Sequence, residues 1–173
     1  PEIDNEGLAR IDARGIHYRR LNELVREVVR RGARRIEIVN VNGQRYIGCG
    51  LTGDIELEIA GTAGNDMAAY LNGPQIRVLG NVQDCVCNTM NSGTVMVSGR
   101  AGDILGYGAM GGEIYIRGDA GSRCGIHLKG NEQQFPVIVI GGTTGDFLGE
   151  YMAGGIIIAL GLDGEHPITG RQP

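Results

Sequence analysis

The chain has 173 residues, of which 42% are hydrophobic and 21% charged, and this suits one soluble domain with its own core. No apolar run approaches the roughly 20 residues that a membrane-spanning helix needs. The N-terminus PEIDNEGLAR lacks the apolar core of a signal peptide. These features argue against a membrane protein, and the expected location is the cytoplasm.

Charge is distributed unevenly along the chain. Residues 1–35 carry nine arginines and six acidic residues, a net charge of +3, whereas the remainder carries −7. Acidic side chains alternate with the arginines, and aromatic side chains that stack on bases are few. The pattern therefore favours a solvated helix face, and we expect no nucleic-acid partner.

An amphipathic helix is predicted in the segment HYRRLNELVREVVRRG. Its apolar residues recur at the spacing i, i+3, i+4, i+7, and they are Leu21, Leu24, Val25 and Val28. Gly32 stands where a C-terminal cap belongs. The next stretch, RRIEIVNVNG, predicts a strand that ends in a turn.

Glycine is the unusual component, at 31 of 173 residues, compared with a usual share of about 7%. Six glycines recur in steps of 19 residues, with one step of 24: Gly61, Gly80, Gly99, Gly118, Gly142 and Gly161. The residues four and two positions before each of them are apolar. For the five glycines from Gly61 to Gly142, the residues six and ten positions after are apolar as well, and the seventh residue after is small. Cys49 falls in this column of small residues in a weaker first coil.

A 19-residue period with alternating apolar positions predicts an all-β fold, a parallel β-helix whose stacked coils share one interior. The six glycines are assigned as structural corners. Helical repeats and the nonapeptide β-roll have other periods, and a leucine-rich consensus does not occur. The chain is thus divided into an N-terminal extension (1–35), a β-helix domain (36–162) and a C-terminal tail (163–173).

Glycine-rich stretches such as GRAGD (99–103) and GTTGD (142–146) are interpreted as turns. A dinucleotide fold needs one such loop between a strand and a helix, and a Walker loop needs G-K-[ST], which the sequence does not contain. Asp84, Asp103 and Asp146 share the fourth position of their coils. At a turn, an aspartate accepts backbone N–H bonds, and we expect this role in preference to cation binding.

The cysteines and histidines give no clear catalytic or metal-binding pattern. Cys85 and Cys87 form a C-x-C, there is no C-x-x-C, and Cys124 falls in an interior column. His127 and Lys129 are predicted to lie on a solvated rim. We therefore predict no catalytic, cofactor-binding or metal-binding residue in this chain.

Several stretches resemble a known family. GGEIYIRGDAG, GDFLGEYMAGGIIIALGL and VNGQRYIGCGL are similar to the glycine-rich (GXGXG) β-helix domain of the glutamate synthase large subunit. The lead-in IDARGIHYRRLNELVREVVRRG resembles that of the stand-alone version of this domain, which occurs in split glutamate synthases. The match runs from about residue 10 to residue 162, and it follows the order of the variant corners.

The resemblance implies a right-handed β-helix that acts as a scaffold and has no catalytic residues of its own. In that family a glutamine amidotransferase part releases ammonia. A synthase part, which carries FMN and an iron–sulfur cluster, uses it to convert 2-oxoglutarate to glutamate. The expected partners are therefore an amidotransferase chain and an FMN-binding synthase chain, with a homo-oligomer also open. FMN and the cluster are expected in those chains.

Two other functions remain open from the sequence. The β-helix subunit of formylmethanofuran dehydrogenase, a tungsten or molybdenum enzyme, is built from the same fold and also serves as a scaffold. A free-standing enzyme with a groove along the β-helix would need acidic and aromatic side chains stacked on one face, and the chain has only six Tyr and two Phe.

Two partner-docking surfaces are predicted. One is the basic N-terminal helix. The other is the five-residue insertion that lengthens one coil from 19 to 24 residues, and it consists of Asn131, Glu132, Gln133, Gln134 and Phe135. Insertions in solenoids project as loops on a binding face.

Overall fold

Short segments with alternating apolar residues form the main sheet, since strand side chains alternate between its two faces. The computed structural model describes residues 1–162, and within that range eight parallel strands lie in chain order in one sheet. They are β1 (Leu8–Asp12), β2 (Arg35–Asn42), β3 (Glu56–Thr62), β4 (Asn72–Leu79), β5 (Ser92–Val97), β6 (Glu113–Ile116), β7 (Val137–Ile140) and β8 (Ile156–Ala159). The predicted parallel β-solenoid is confirmed.

Two apolar columns of the sheet face the interior. Each residue pairs with its equivalent in the next coil, as in the series Leu57, Ile76, Val95, Ile114, Ile138 and Ile157. The five residues from Leu57 to Ile138 are at most 2% exposed, whereas Ile157 in the last strand is only partly buried. The step of 24 is absorbed outside the strands, because Ile114 still pairs with Ile138.

The face opposite the strands has an unusual backbone. Residues with left-handed φ alternate with other residues, three in each of six segments: 46–50, 66–70, 85–89, 104–108, 123–127 and 147–151. The N–H of Asp66 donates to the following coil, at Asp84 O, and the N–H of Ala68 donates to the preceding coil, at Ile47 O. This alternation lets a non-strand segment bond to the coils on both sides.

The predicted column of small residues lies at the centre of these segments. It contains Gly48, Ala68, Cys87, Gly106, Gly125 and Gly149, each with a positive φ. The placement of Cys49 in this column was wrong, because coil-to-coil bonding sets Ala68 over Gly48 through the bond from Ala68 N to Ile47 O. The first coil is one residue longer than the 19-residue count assumes, since Val41 pairs with Gly61. Cys49 is only partly buried.

Helix α1 (Tyr18–Arg30) connects β1 to β2 and begins and ends close to the predicted bounds. Its buried side chains, which belong to the same hydrophobic core as the coils, include Leu21, Val25 and Val28. Asn22, which is 6% exposed, donates from Nδ2 to Tyr18 O and to Arg45 O, at 2.8 Å each. α1 therefore lies against the start of the first coil and caps the interior at this end.

Strand β1 was not predicted. It pairs in register with β2, Ala9 beside Ile36 and Ile11 beside Ile38, and so extends the sheet by one strand before the first full coil. No helix among residues 1–162 is long and apolar enough to cross a bilayer.

Replacement of Ile116 by Asp is expected to abolish cooperative folding. Ile116 is 2% exposed and faces the interior, and a buried unpaired carboxylate costs several kcal/mol. The same change at the neighbouring Tyr115, which faces outward and is 37% exposed, serves as the matched control and should lower the melting temperature only slightly. Circular dichroism during heating measures both, and equal melting temperatures would show that the interior columns are misassigned.

Asn22→Leu tests the cap. The change roughly keeps the side-chain volume but leaves Arg45 O without its side-chain donor, and because this bond is partly buried we expect a loss of about 1 kcal/mol or more. Glu23→Leu on the exposed side of α1 is the control, and we expect it to cost less than about 1 kcal/mol, because the ion pair it removes is on the surface. Urea titration gives the free energies of unfolding, and similar losses in both variants would contradict the capping role.

Candidate interaction surfaces

Five of the six corner glycines, from Gly61 to Gly142, lie where successive coils approach each other closely. A Cβ at Gly80 would collide with the backbone of Gly61, and one at Gly142 would collide with the Asp119 side chain and the backbone of Asp119 and Gly118. Gly61 itself has φ +126°, a conformation that glycine adopts without penalty. Gly161 has φ +60° and open space around its Cβ position.

Aspartates at the fourth position of the coils bind the backbone of the next coil, as expected. Asp84 Oδ1 accepts from Asp103 N at 2.9 Å, and Asp103 Oδ1 accepts from Ser122 N at 2.8 Å. Gly102 and Gly121 lie beneath these carboxylates, and a Cβ on either would occupy the space of the accepting oxygen. The G-x-x-G-D corner is therefore a coil-to-coil clamp. The equivalent contact of Asp146 would be to residue 165, outside the described residues.

The insertion 131–135 forms a small closed loop on the surface, and all five residues are exposed. Asn131 Oδ1 accepts from the N–H of Gln133 and of Gln134 at 2.9 Å each, and Asn131 N donates to Gln134 O at 2.7 Å. The Gln134 side chain donates to Asn91 O, across Gly111, whose missing side chain leaves room for it. The loop is thus fixed by Asn131 and Gln134, and it presents Glu132, Gln133 and Phe135 to solvent.

The outer face of α1 forms the second predicted surface. Its exposed residues include Arg19, Arg20, Glu23, Arg26 and Arg30. Arg20 pairs with Glu23 at 3.3 Å, and a second ion pair joins Glu27 to Arg31 at 3.7 Å. Arginines outnumber acidic residues here, so this face is positively charged.

An exposed aromatic cluster crosses three successive coils, and sequence reasoning missed it. The His127 ring stacks on Tyr151 with centroids 5.2 Å apart, and it meets Tyr107 edge-on at 5.6 Å. Tyr151 is 72% exposed. His127 was predicted to lie on a solvated rim, and it is exposed, but it also bridges two tyrosines. Tyrosines in the eighth and ninth positions of the coils were the available signal.

The four cysteines are separate thiols in two environments. Cys87 and Cys124 are fully buried, and burial raises the pKa of both thiols, that of Cys124 to about 12. Burial also raises the pKa of Cys49 and Cys85, which are partly exposed. Among residues 1–162, no three His, Cys, Asp or Glu side chains are grouped closely enough to hold a metal ion.

The fold and these surfaces define a class of protein, a parallel β-solenoid with glycine corners and a helical cap. Residues 20–172 match the model of the family described as GXGXG motif, and the chain belongs to that family. No solved structure matches it significantly.

The relatives include an uncharacterized protein of Methanocaldococcus jannaschii, 46% identical over 156 residues, which are 88% of this chain and 60% of the relative. The ferredoxin-dependent glutamate synthase of spinach chloroplasts is 32% identical over 77% of this chain and 9% of that protein. A ferredoxin-dependent glutamate synthase 2 of Synechocystis is 31% identical over 71% of this chain and 8% of that protein. The chain is thus homologous to one small part of these glutamate synthases, and it spans less than two thirds of the archaeal relative.

Thiol labelling tests the assignment of the cysteines. At about pH 8, we expect Cys49 and Cys85 to react with a thiol reagent in the folded protein, and Cys87 and Cys124 only after unfolding, since thiolate is the reactive form. Absorbance of the released chromophore counts the thiols, and Cys85→Ser should remove one from the reactive pair. Four thiols reacting at similar rates in the folded state would contradict the burial of Cys87 and Cys124.

Proposed function

We propose that this chain is a non-catalytic scaffold subunit of a cytoplasmic glutamate synthase. It would organise a glutamine amidotransferase chain and an FMN- and iron–sulfur-containing synthase chain that make glutamate from glutamine and 2-oxoglutarate. The observation that carries the proposal is the alignment of 77% of this chain with 9% of a ferredoxin-dependent glutamate synthase. Most of that enzyme lies outside the aligned segment, so its chemistry would belong to other chains here.

The packing of the coils supports a scaffold role. Aliphatic and sulfur-containing side chains fill the interior columns, and most polar side chains therefore lie on the surface. Two corner carboxylates, those of Asp84 and Asp103, already accept bonds from the next coil. Such a rod of repeated bonds holds its surface features at fixed spacing. We propose that FMN and the cluster reside in the partner chains.

Two surfaces are proposed to contact those partners. The loop 131–135 is fixed internally by Asn131 and Gln134, so that its exposed side chains are preorganised, which lowers the entropic cost of binding. The outer face of α1 adds positive charge at the capped end, where it would attract an acidic partner.

The experiment is affinity capture of the tagged protein from its own cells, followed by mass spectrometry and an absorbance spectrum of the eluate. A flavin and iron–sulfur spectrum together with an amidotransferase chain is the expected result. Pterin-containing partners would instead indicate the formylmethanofuran dehydrogenase complex, and recovery of this chain alone would contradict the scaffold proposal.

Deletion of residues 131–135 should leave the melting temperature nearly unchanged and reduce the captured partners severalfold. A finer variant replaces Glu132, Gln133 and Phe135 by Ala and keeps Asn131 and Gln134, which close the loop. Thr94→Ala, on the outer face of β5, is the control that should capture normally. Unchanged capture by both loop variants would exclude the loop as a docking surface.

A further inference from the structure

Two arginine–tyrosine pairs lie side by side where α1 meets the first coil. Tyr18 and Arg19 belong to the helix, Arg45 and Tyr46 belong to the coil, and the centres of the two tyrosine rings are 5.9 Å apart. Asn22 joins the two parts, because its Nδ2 donates to Tyr18 O and to Arg45 O at 2.8 Å each. We call Tyr18, Arg19, Arg45 and Tyr46 the arginine–tyrosine cluster.

Ring contacts and hydrogen bonds hold both guanidinium groups of the cluster. The Arg19 guanidinium lies 5.9 Å from the centre of the Tyr18 ring, and its Nε donates to Tyr18 Oη at 3.3 Å. The Arg45 guanidinium lies 5.1 Å from the centre of the Tyr46 ring, and its Nη2 donates to Tyr46 Oη and to Asp66 Oδ2 at 3.4 Å each. An arginine that is held in place before binding loses less side-chain entropy when it binds.

Both guanidinium groups still have N–H donors to offer. A guanidinium carries five N–H groups in one plane. Among residues 1–162, the side chain of Arg19 donates only through Nε and that of Arg45 only through Nη2, and both residues are exposed. The remaining donors match the two oxygens of a carboxylate, which arginine binds in a bidentate manner.

Positive charge exceeds negative charge around the cluster. The nearby acidic side chains each form an ion pair at 3.3–3.7 Å, and the pairs are Asp12–Arg14, Glu23–Arg20, Glu27–Arg31 and Asp66–Arg45. Arg19 and Arg26 are exposed, and neither forms an ion pair with another described residue. The next acidic side chain along the column of Arg45 is Asp84, two coils or about 10 Å away. The charge without a counterpart is therefore that of Arg19 and Arg26.

We propose that the arginine–tyrosine cluster is the docking site for an acidic segment of a partner subunit, whose carboxylates bind the guanidinium groups of Arg19 and Arg45. This inference rests on the proposed function, which requires partner chains, and it names what such a chain presents to α1. Tyrosine and arginine are enriched at the energetic centres of protein interfaces. The two adjacent rings add apolar contact area beside the charged groups.

A short acidic segment fits this surface better than a nucleic acid does. DNA carries one negative charge per about 1.7 Å of its axis, and it needs a continuous basic path. Around the cluster, acidic side chains alternate with the arginines, and the chain after residue 35 has a net charge of −7 that would repel a long polyanion. One or two carboxylates match the two guanidinium groups.

The first test is a zero-length cross-link in the complex that the histidine-tagged protein captures from its own cells. Lys129 is the only lysine of the chain, so Lys129→Arg removes the background, and Arg19→Lys then places a single ε-amine in the cluster. Carbodiimide joins this amine to a carboxylate in contact with it, and mass spectrometry of the peptides identifies that carboxylate. We expect a cross-link to Asp or Glu of another chain. Arg30→Lys in the same background is the matched control, because Arg30 is exposed near the other end of α1, and it should give none.

The second test uses the purified chain and needs no partner subunit. The probe is a short peptide of alternating Glu and Gly, and a peptide of alternating Gln and Gly is its control. We expect the Glu peptide to shift the NMR signals of the Arg19 and Arg45 Nε–H groups, with a dissociation constant on the order of millimolar, because the contacts are surface ion pairs. Arg19→Gln should weaken this binding severalfold, whereas Arg30→Gln should not.

The two tests can overturn the proposal separately from the proposed function. A captured complex without a cross-link from position 19, or with equal cross-linking from positions 19 and 30, would exclude the cluster as the docking site. Unshifted arginine signals would do the same, and a single-stranded oligonucleotide that binds there more tightly than the Glu peptide would replace the acidic segment by a nucleic acid. A cross-link to a chain unrelated to glutamate synthase would support the cluster and contradict the proposed function.

Discussion

The hydrogen-bonding register between coils is the constraint from which the rest of the structure follows. Parallel coils stack about 4.8 Å apart, so each residue lies almost directly above its equivalent and contacts the equivalent residues of the neighbouring coils. Apolar positions become apolar columns. Polar positions are tolerated when their side chains bond along the stack, as Asp84 does to Asp103 N. A glycine is required wherever one coil's side chain or carbonyl occupies the space that the next coil's Cβ would fill, as at Gly102.

The same register sets the thickness of the interior. A Cβ at Gly106 would lie 2.7 Å from Cδ1 of Ile138 and 3.5 Å from that of Ile114, so the small column and the isoleucine column of the sheet are directly opposed. Large side chains on the sheet leave room only for small residues on the other face. The left-handed backbone of that face, which costs non-glycine residues about 1–3 kcal/mol each, is maintained by bonds to the coils on both sides.

Periodicity explains what could be predicted. The columns from Leu57 to Ile138 and the helix near Tyr18–Arg30 follow from spacing alone, because each depends on a regular pattern. Strand β1 could not be predicted from spacing, since LARID is short and is ordered by pairing with β2. In the column of small residues, Cys49 was assigned the place that Gly48 occupies, because one extra residue in the first coil shifts the 19-residue count by one. The tyrosine and histidine cluster depends on adjacency between coils, which no single coil reveals.

The two ends of the solenoid differ in how the hydrogen-bonding groups of their backbone are satisfied. At the first coil, Asn22 of α1 donates to Arg45 O, and the equivalent carbonyls of later coils, such as Asn65 O, accept from a backbone N–H of the preceding coil. A side-chain amide thus replaces a missing coil, and the outer face of α1 carries exposed arginines at this end. At the other end, β8 is the last strand among residues 1–162, and Ile156, Ile158 and Leu160 are 42–51% exposed there, so this end has no counterpart of the α1 cap within the described residues.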